Sequence, residues 1–358
     1  MNIGMILIWA AFLMGSLAAG SAFAGYFKRQ SKAQGRKFKA LSEKLEFACG
    51  ITVLAATFLL TLYVLWAKTA YVYVFQHSSA DLAWYYRFSA LWAGEEGSFL
   101  LWTCFIFLML ILIRKGKTGI ILKDTELLNL TRGVALTIAS IFLLLLLLKN
   151  PFSTYYLTPS GVVESTNWNP FVEVFVVPYG QGMNPLLRNP WMAIHPPVLF
   201  LGYAAFTLPF SAAFAGLMLG DKRWLELSNS WMRVSWFFLT LGIGFGGFWA
   251  YEVLGWGAWY WSWDPVETSS LIPWLSATAY LHAKLRADAG EYRFLLPFLA
   301  IGSFILVISS TFVTRSGLWA SVHSWQDFTS QGKVIAFFLS GLLISSTGLL
   351  LRHYWTED

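Results

Sequence analysis

The chain has 358 residues, of which 57% are hydrophobic and only 12% charged, against roughly 45–50% and 25% in an ordinary soluble domain. That excludes a soluble globular protein and makes an integral membrane protein the expectation. The formal charge of +6 does not call for a nucleic-acid partner, because membrane proteins concentrate Lys and Arg in the loops on one side.

A spanning helix needs about 20 mainly apolar residues to cross roughly 30 Å of hydrocarbon. Nine stretches qualify, near 3–27, 47–67, 97–113, 133–148, 197–219, 234–253, 268–285, 294–313 and 334–351. The first ends at Ala22-Phe23-Ala24, which looks like a small-residue cleavage site. No Lys or Arg precedes Lys28, however, and the basic cluster follows the apolar run, so an anchored helix is expected rather than a cleaved signal. Basic residues then alternate along the chain. The connections after the first, third, fifth and seventh stretches, with Arg352 at the tail, hold 19 of the 25 Lys and Arg residues. This bias predicts an outer N-terminus and an inner C-terminus. The reading is an all-α, polytopic membrane helix bundle of about nine spans in a bacterial or archaeal cytoplasmic (inner) membrane, one domain over 1–358 and in contact with lipid. Cys49 and Cys104 sit singly in apolar runs, so no disulfide framework, CxxC pair or CxxCH site is present.

The longest connections, 68–96 and 149–196, fall on the outer side. His195 stands in His195-Pro196-Pro197 at the outer start of the fifth span, where the prolines pre-set helix geometry. The loop 254–267 packs Trp256, Trp259, Tyr260, Trp261 and Trp263 beside Gly255 and Gly257, with no Lys or Arg. An interfacial belt explains scattered Trp. Four in one loop offer instead a flat, polarisable surface on which a planar ligand can stack. Asp264-Pro265-Val266-Glu267 closes this loop with a helix-start signature, Asp at N-cap, Pro first and Glu at N3. His282 lies roughly 21 Å from the outer end of its span at 1.5 Å per residue, deep in the bilayer, where an ionisable group points to function. His323 follows Arg315 in the next outer loop. Two neutral imidazoles, His195 and His323, beside an aromatic platform are what a porphyrin with two axial His ligands requires, and Arg315 is a candidate for its carboxylates. His77 and His353 are read as ordinary loop and tail residues.

These residues resemble those of the CcmF/CcsA family of cytochrome c maturation proteins, marked by a tryptophan-rich "WWD" outer loop between two outer histidines. The likeness extends through Leu91-Trp92-Ala93-Gly94-Glu95-Glu96-Gly97-Ser98 with Leu100-Leu101-Trp102, then Asn184-Pro185-Leu186-Leu187 and His195-Pro196-Pro197. It continues through the loop ending at Glu267, Pro273-Trp274-Leu275 with His282, and Thr314-Arg315-Ser316-Gly317 with Ser321-Val322-His323. The resemblance is stronger to the CcmF branch. It implies a haem lyase: haem b is held on Trp256, Trp259, Trp261, Trp263, Asp264 and Arg315 between His195 and His323, for thioether attachment to CxxCH of apocytochrome c, alongside other maturation subunits.

Three departures qualify this expectation. CcmF proteins run to nearly twice this length, and their later half carries a second membrane histidine that pairs with the one matching His282 to hold a second haem. Either another polypeptide supplies that ligand here, or the inner site is incomplete. The stretch from Trp256 to Asp264 is one residue longer than the usual loop, and Glu95 stands where many relatives have His. The rival functions are a haem transporter or relay with His282 and the outer histidines as stations, and a scaffold without haem chemistry.

Overall fold

The structure, a computed structural model, describes residues 1–123, 125–253, 261–286, 292, 294–319, 321 and 330–357. Helices α1 (Ile3–Phe27) and α2 (Lys32–Leu65) form a hairpin, and the short α3 (Val72–His77) and α4 (Trp84–Ser89) lead to α5 (Glu95–Lys115). The short α6 (Lys117–Ile121) precedes α7 (Glu126–Leu148), and a hairpin of β1 (Thr154–Leu157) and β2 (Val163–Thr166) follows. The chain then continues through α8 (Pro190–Leu219), α9 (Trp224–Val253), α10 (Pro265–Arg286), α11 (Leu295–Arg315) and α12 (Ser330–Glu357). The all-α polytopic bundle expected from the sequence is what forms, and each of the nine stretches falls on a helix to within two residues at its ends.

Among the described residues, eight helices are long and apolar enough to cross a membrane. The remaining stretch is α10, which has the length, 22 residues, but is interrupted by Thr268, Ser269, Ser270, Thr278 and His282. Gly246 and Gly247 near the end of α9, Val266 and Glu267 at the start of α10, and Thr314 and Arg315 at the end of α11 line one cavity. Both α9 and α11 therefore finish on the same face, and α10 carries the chain back between them as a ninth crossing.

Helix ends differ from the sequence expectation for a physical reason. Hydropathy registers only the part of a helix that lies in hydrocarbon, whereas helical hydrogen bonding continues into water. Thus α2 begins at Lys32, among basic residues, and α8 begins at Pro190 rather than near 197. Asn189 caps α8 by accepting from the Trp191 amide at 2.8 Å, with Pro190 in the first helical position. Pro196 and Pro197 consequently sit inside the helix, not at its start.

The core is centred on α5, α7 and α8, while α9 and α12 are largely peripheral. Close approach of α8 and α9 depends on two glycines. A Cβ at Gly202 would lie 2.8 Å from the Leu239 amide nitrogen, and one at Gly242 would lie 2.8 Å from the Leu199 Cα. At the face opposite the cavity, a buried ionic cluster joins three helices. Arg132 of α7 bonds Glu46 of α2 and, at 3.1 Å, Glu43, while Arg114 of α5 lies 3.4 Å from Glu46. Arg114 and Arg132, which the apolar runs leave in a connection, are helix residues in the structure, and Arg132 is buried. Two guanidiniums against two carboxylates leave no uncompensated charge in that interface.

Candidate functional site

Five helix ends converge on one face around a cavity of about 420 Å³. Its position follows from alternating chain direction: α5, α8 and α10 begin there, and α9 and α11 finish there. His195, in the second turn of α8, reaches across to α9, where its Nδ1 lies 2.6 Å from the Gly242 carbonyl oxygen. A carbonyl can only accept, so Nδ1 donates, and in the neutral form of this imidazole the lone pair falls on Nε2. The ring packs close against α9, since a Cβ on Gly246 would come within 2.7 Å of its Cε1. Gly246 is thus what makes room for the imidazole at the cavity wall.

The cavity is chiefly aromatic. Phe99 stacks on Trp102 with ring centres 6.5 Å apart, and Trp102 packs against Phe200 at 5.6 Å and Tyr203 at 5.4 Å. Trp92, Trp249 and Trp261 add further wall. The Trp249 indole donates to the Leu186 carbonyl at 3.1 Å, but the Trp102 and Trp261 indole nitrogens have no hydrogen-bond partner among the described residues. Two donors on the wall of one cavity invite a ligand with acceptor groups. The Arg315 guanidinium sits 5.7 Å from the Phe99 ring centre, supplying a cation at the same wall.

Behind Arg315 lies a compact polar core. Glu95 and Glu96 open α5 and are buried; Lys149 reaches them at 3.0 and 3.4 Å. The Gln331 carboxamide of α12 lies 3.0 and 3.1 Å from the two oxygens of Glu95 and must present its amide nitrogen to them. This ties α5, α7 and α12 beneath the cavity floor.

Of the residues singled out from the sequence, His195, Trp261 and Arg315 are brought together at the cavity. Trp263 is exposed, with a left-handed backbone at φ 60°, and is not among the lining residues. Asp264 accepts from the Val266 amide at 3.0 Å and from the Ser321 hydroxyl at 2.7 Å, so it caps α10 and holds the segment after α11. Glu267, a lining residue of the cavity, accepts from the Ser262 amide at 3.0 Å. His282 lies on the outside of α10, with Nδ1 donating to the Thr278 carbonyl at 2.9 Å. From Pro265 to His282 the helix rises about 26 Å. Trp256, Trp259 and His323 lie outside the described residues.

Sequence reasoning passed over the inner aromatic wall. Trp92 and Trp102 stand within the Leu91–Trp102 motif, yet a Trp at helical spacing reads as core until the partner helices are placed beside it.

Comparison with known proteins bears on all of this. Residues 92–320 match the family described as Cytochrome C assembly protein. The chain is 35% identical over 286 residues to the cytochrome c-type biogenesis protein CcmF of Pseudomonas aeruginosa, covering 78% of this chain and 40% of that protein. It is 36% identical over 276 residues to the cytochrome c-type biogenesis protein CycK of Bradyrhizobium diazoefficiens, covering 76% and 38%. A solved structure, Cytochrome c Heme Lyase CcmF, superimposes with a TM-score of 0.74 at 27% identity, over 98% of this chain and 51% of that one. The chain therefore spans about 40% of the length of these curated relatives and half that of the solved one.

Proposed function

Because the chain belongs to the cytochrome c assembly protein family, we propose that its cavity holds haem while thioether bonds form to a Cys-X-X-Cys-His segment of apocytochrome c. The observation that carries this is the state of His195: the bond from Nδ1 to Gly242 leaves Nε2 basic and fixes the ring, which is how a haem-ligating imidazole is prepared. By the family resemblance, His323 would hold the haem iron together with His195.

The rest of the wall suits the same ligand. Phe99, Trp102 and Trp261 offer aromatic faces for the macrocycle. Arg315 and the two unpartnered indole donors suit its carboxylates. Each attachment adds one thiol S–H across one vinyl group: a C–S bond forms, the vinyl π bond breaks, and the thiol proton ends on the terminal carbon. No electrons enter or leave. The contribution of this chain is then positional, converting an encounter of two thiols with two vinyls into an effectively unimolecular step.

His282 belongs to a second part of the proposal. Its Nδ1 is also committed to a carbonyl, so Nε2 faces outward from the bundle, in the depth of the membrane. A further membrane polypeptide bringing a second imidazole there would complete a bis-histidine haem site. The face at which attachment occurs is taken from the basic loops to be the outer one.

The test is absorption spectroscopy on the chain purified from a haem-replete host. Wild type is expected to carry low-spin haem, and His195→Ala to lose or shift it. Haem unaffected by His195→Ala but lost in His282→Ala would sink the cavity assignment. Haem that reaches an acceptor without becoming covalently bound would favour the relay.

A further inference from the structure

On the same face, beyond the cavity just described, the two long connections build a second cleft of about 480 Å³. It is polar where the first is aromatic. Four carboxamides line it, Gln76, Asn150, Asn167 and Gln181, together with Ser153 and Ser165. Its charged lining residues are Glu96 and Lys149. Glu96 is paired with Lys149 at 3.4 Å, and burial, with Lys149 nearby, pushes His77 down to about 4, leaving it uncharged at neutral pH.

The cleft has hydrogen-bonding capacity to spare. Asn150 is 2% exposed; its Oδ1 accepts from the Phe152 amide at 3.0 Å, but its Nδ2 has no partner. A buried amide donor left unmade is costly, so an acceptor is wanted there. Carboxamides pair donor with acceptor at the spacing of a peptide group. Ser165 belongs to β2, which pairs with β1 on one side and has no ladder on the other among the described residues. An open strand edge is a template for an added strand.

The two cavities stand back to back. Gly94 lines the first, while Tyr73 and His77 line the second, and a Cβ on Gly94 would overlap both of those rings. The partition is one backbone thick. The geometry points to this cleft as a binding site for an extended polypeptide backbone, the segment flanking the Cys-X-X-Cys-His that enters the neighbouring cavity. This rests on the attachment reading above and adds where the unfolded substrate is gripped and by which chemistry.

The test uses the full chain in lipid nanodiscs and a fluorescent 20-residue peptide with Ser-X-X-Ser-His at its centre. Binding is read by anisotropy, and haem absorption reports the state of the first cavity. Gln76 and Gln181 are exposed, so Gln76→Ala with Gln181→Ala leaves the fold intact. The double variant is expected to weaken peptide binding about tenfold with haem uptake unchanged, the scale of two lost hydrogen bonds. Scrambling the flanks is expected to change affinity less than about threefold, since hydrogen bonds to backbone are insensitive to side chains, while N-methylation of alternate flank amides abolishes binding. A photo-cross-linking residue at Ser165 is expected to capture the peptide. Unchanged affinity in the double variant, or bound peptide that Ser165 fails to capture, overturns the cleft and leaves attachment standing. Wild type that takes up haem but no peptide overturns both.

Discussion

At the residue scale, the chemistry turns on what stands beside an imidazole. His195 owes its tautomer to Gly242 and its room to Gly246, both on a different helix. Gly246→Ala should therefore displace the ring and weaken haem binding at least about tenfold, comparable to one strong hydrogen bond lost. Gly244, two residues earlier, has nothing within 4 Å of a built Cβ. Gly244→Ala should bind haem as wild type does, and a titration of both variants followed in the Soret band decides between them. His77 illustrates the reverse case. Its folded value is pushed down to about 4 by burial, from an ordinary 6.5. Between those values the unfolded chain binds the extra proton, so stability should fall as pH drops from 6.5 towards 4. Thermal unfolding in detergent across that window should show the slope in wild type and its absence in His77→Gln.

At the element scale, helix starts were the legible features where a side chain caps them locally. The Asp264-Pro265-Val266-Glu267 signature opens α10 as read, and the bond from the Val266 amide to Asp264 is a local consequence of that spacing. The bond from Ser321 to the same carboxylate joins residues 57 apart, and no local rule announces it. Asp264→Ala is expected to cost about 1 kcal/mol for the cap alone, whereas Ser321→Ala loses only the tie. Amides in the first turn of α10 should exchange faster in Asp264→Ala than in Ser321→Ala; equal rates would show that the cap holds nothing. The start of α8 was placed too late because His195-Pro196-Pro197 looks like a beginning. Asn189 caps the helix six residues earlier, with Pro190 in the first position, and Pro196 and Pro197 lie inside it at the cost of two interior hydrogen bonds.

At the scale of the whole molecule, the described residues hold eight helices apolar enough to cross a membrane and a ninth, α10, too polar to be recognised by composition alone. The alternation that brings five helix ends to one face also makes a prediction about orientation. The cavity, β1–β2 and the N-terminus should share the outer side, with the basic connection near 28–44 and Arg352 on the inner side. Single cysteines introduced at Ser160 and at Lys37, probed with an impermeant maleimide on intact cells, should label at the first and not at the second. The inverse pattern would place the cavity inside and end the attachment reading at the outer face. What the sequence determined by itself was the solvent: composition demands lipid, the spacing of apolar runs sets the number of spans, and the basic loops set their expected sense. It also exposed the residues whose cost in a membrane demands a reason, among them His195, His282 and the tryptophan loop. Only the tertiary structure could decide which of these meet. A cavity is made by side chains from helices distant in sequence, and periodicity within one helix carries no information about which neighbour it packs against. Hence the inner aromatic wall, the glycine that admits the imidazole, and the amide-lined cleft behind Gly94 became visible only when the helices were brought together.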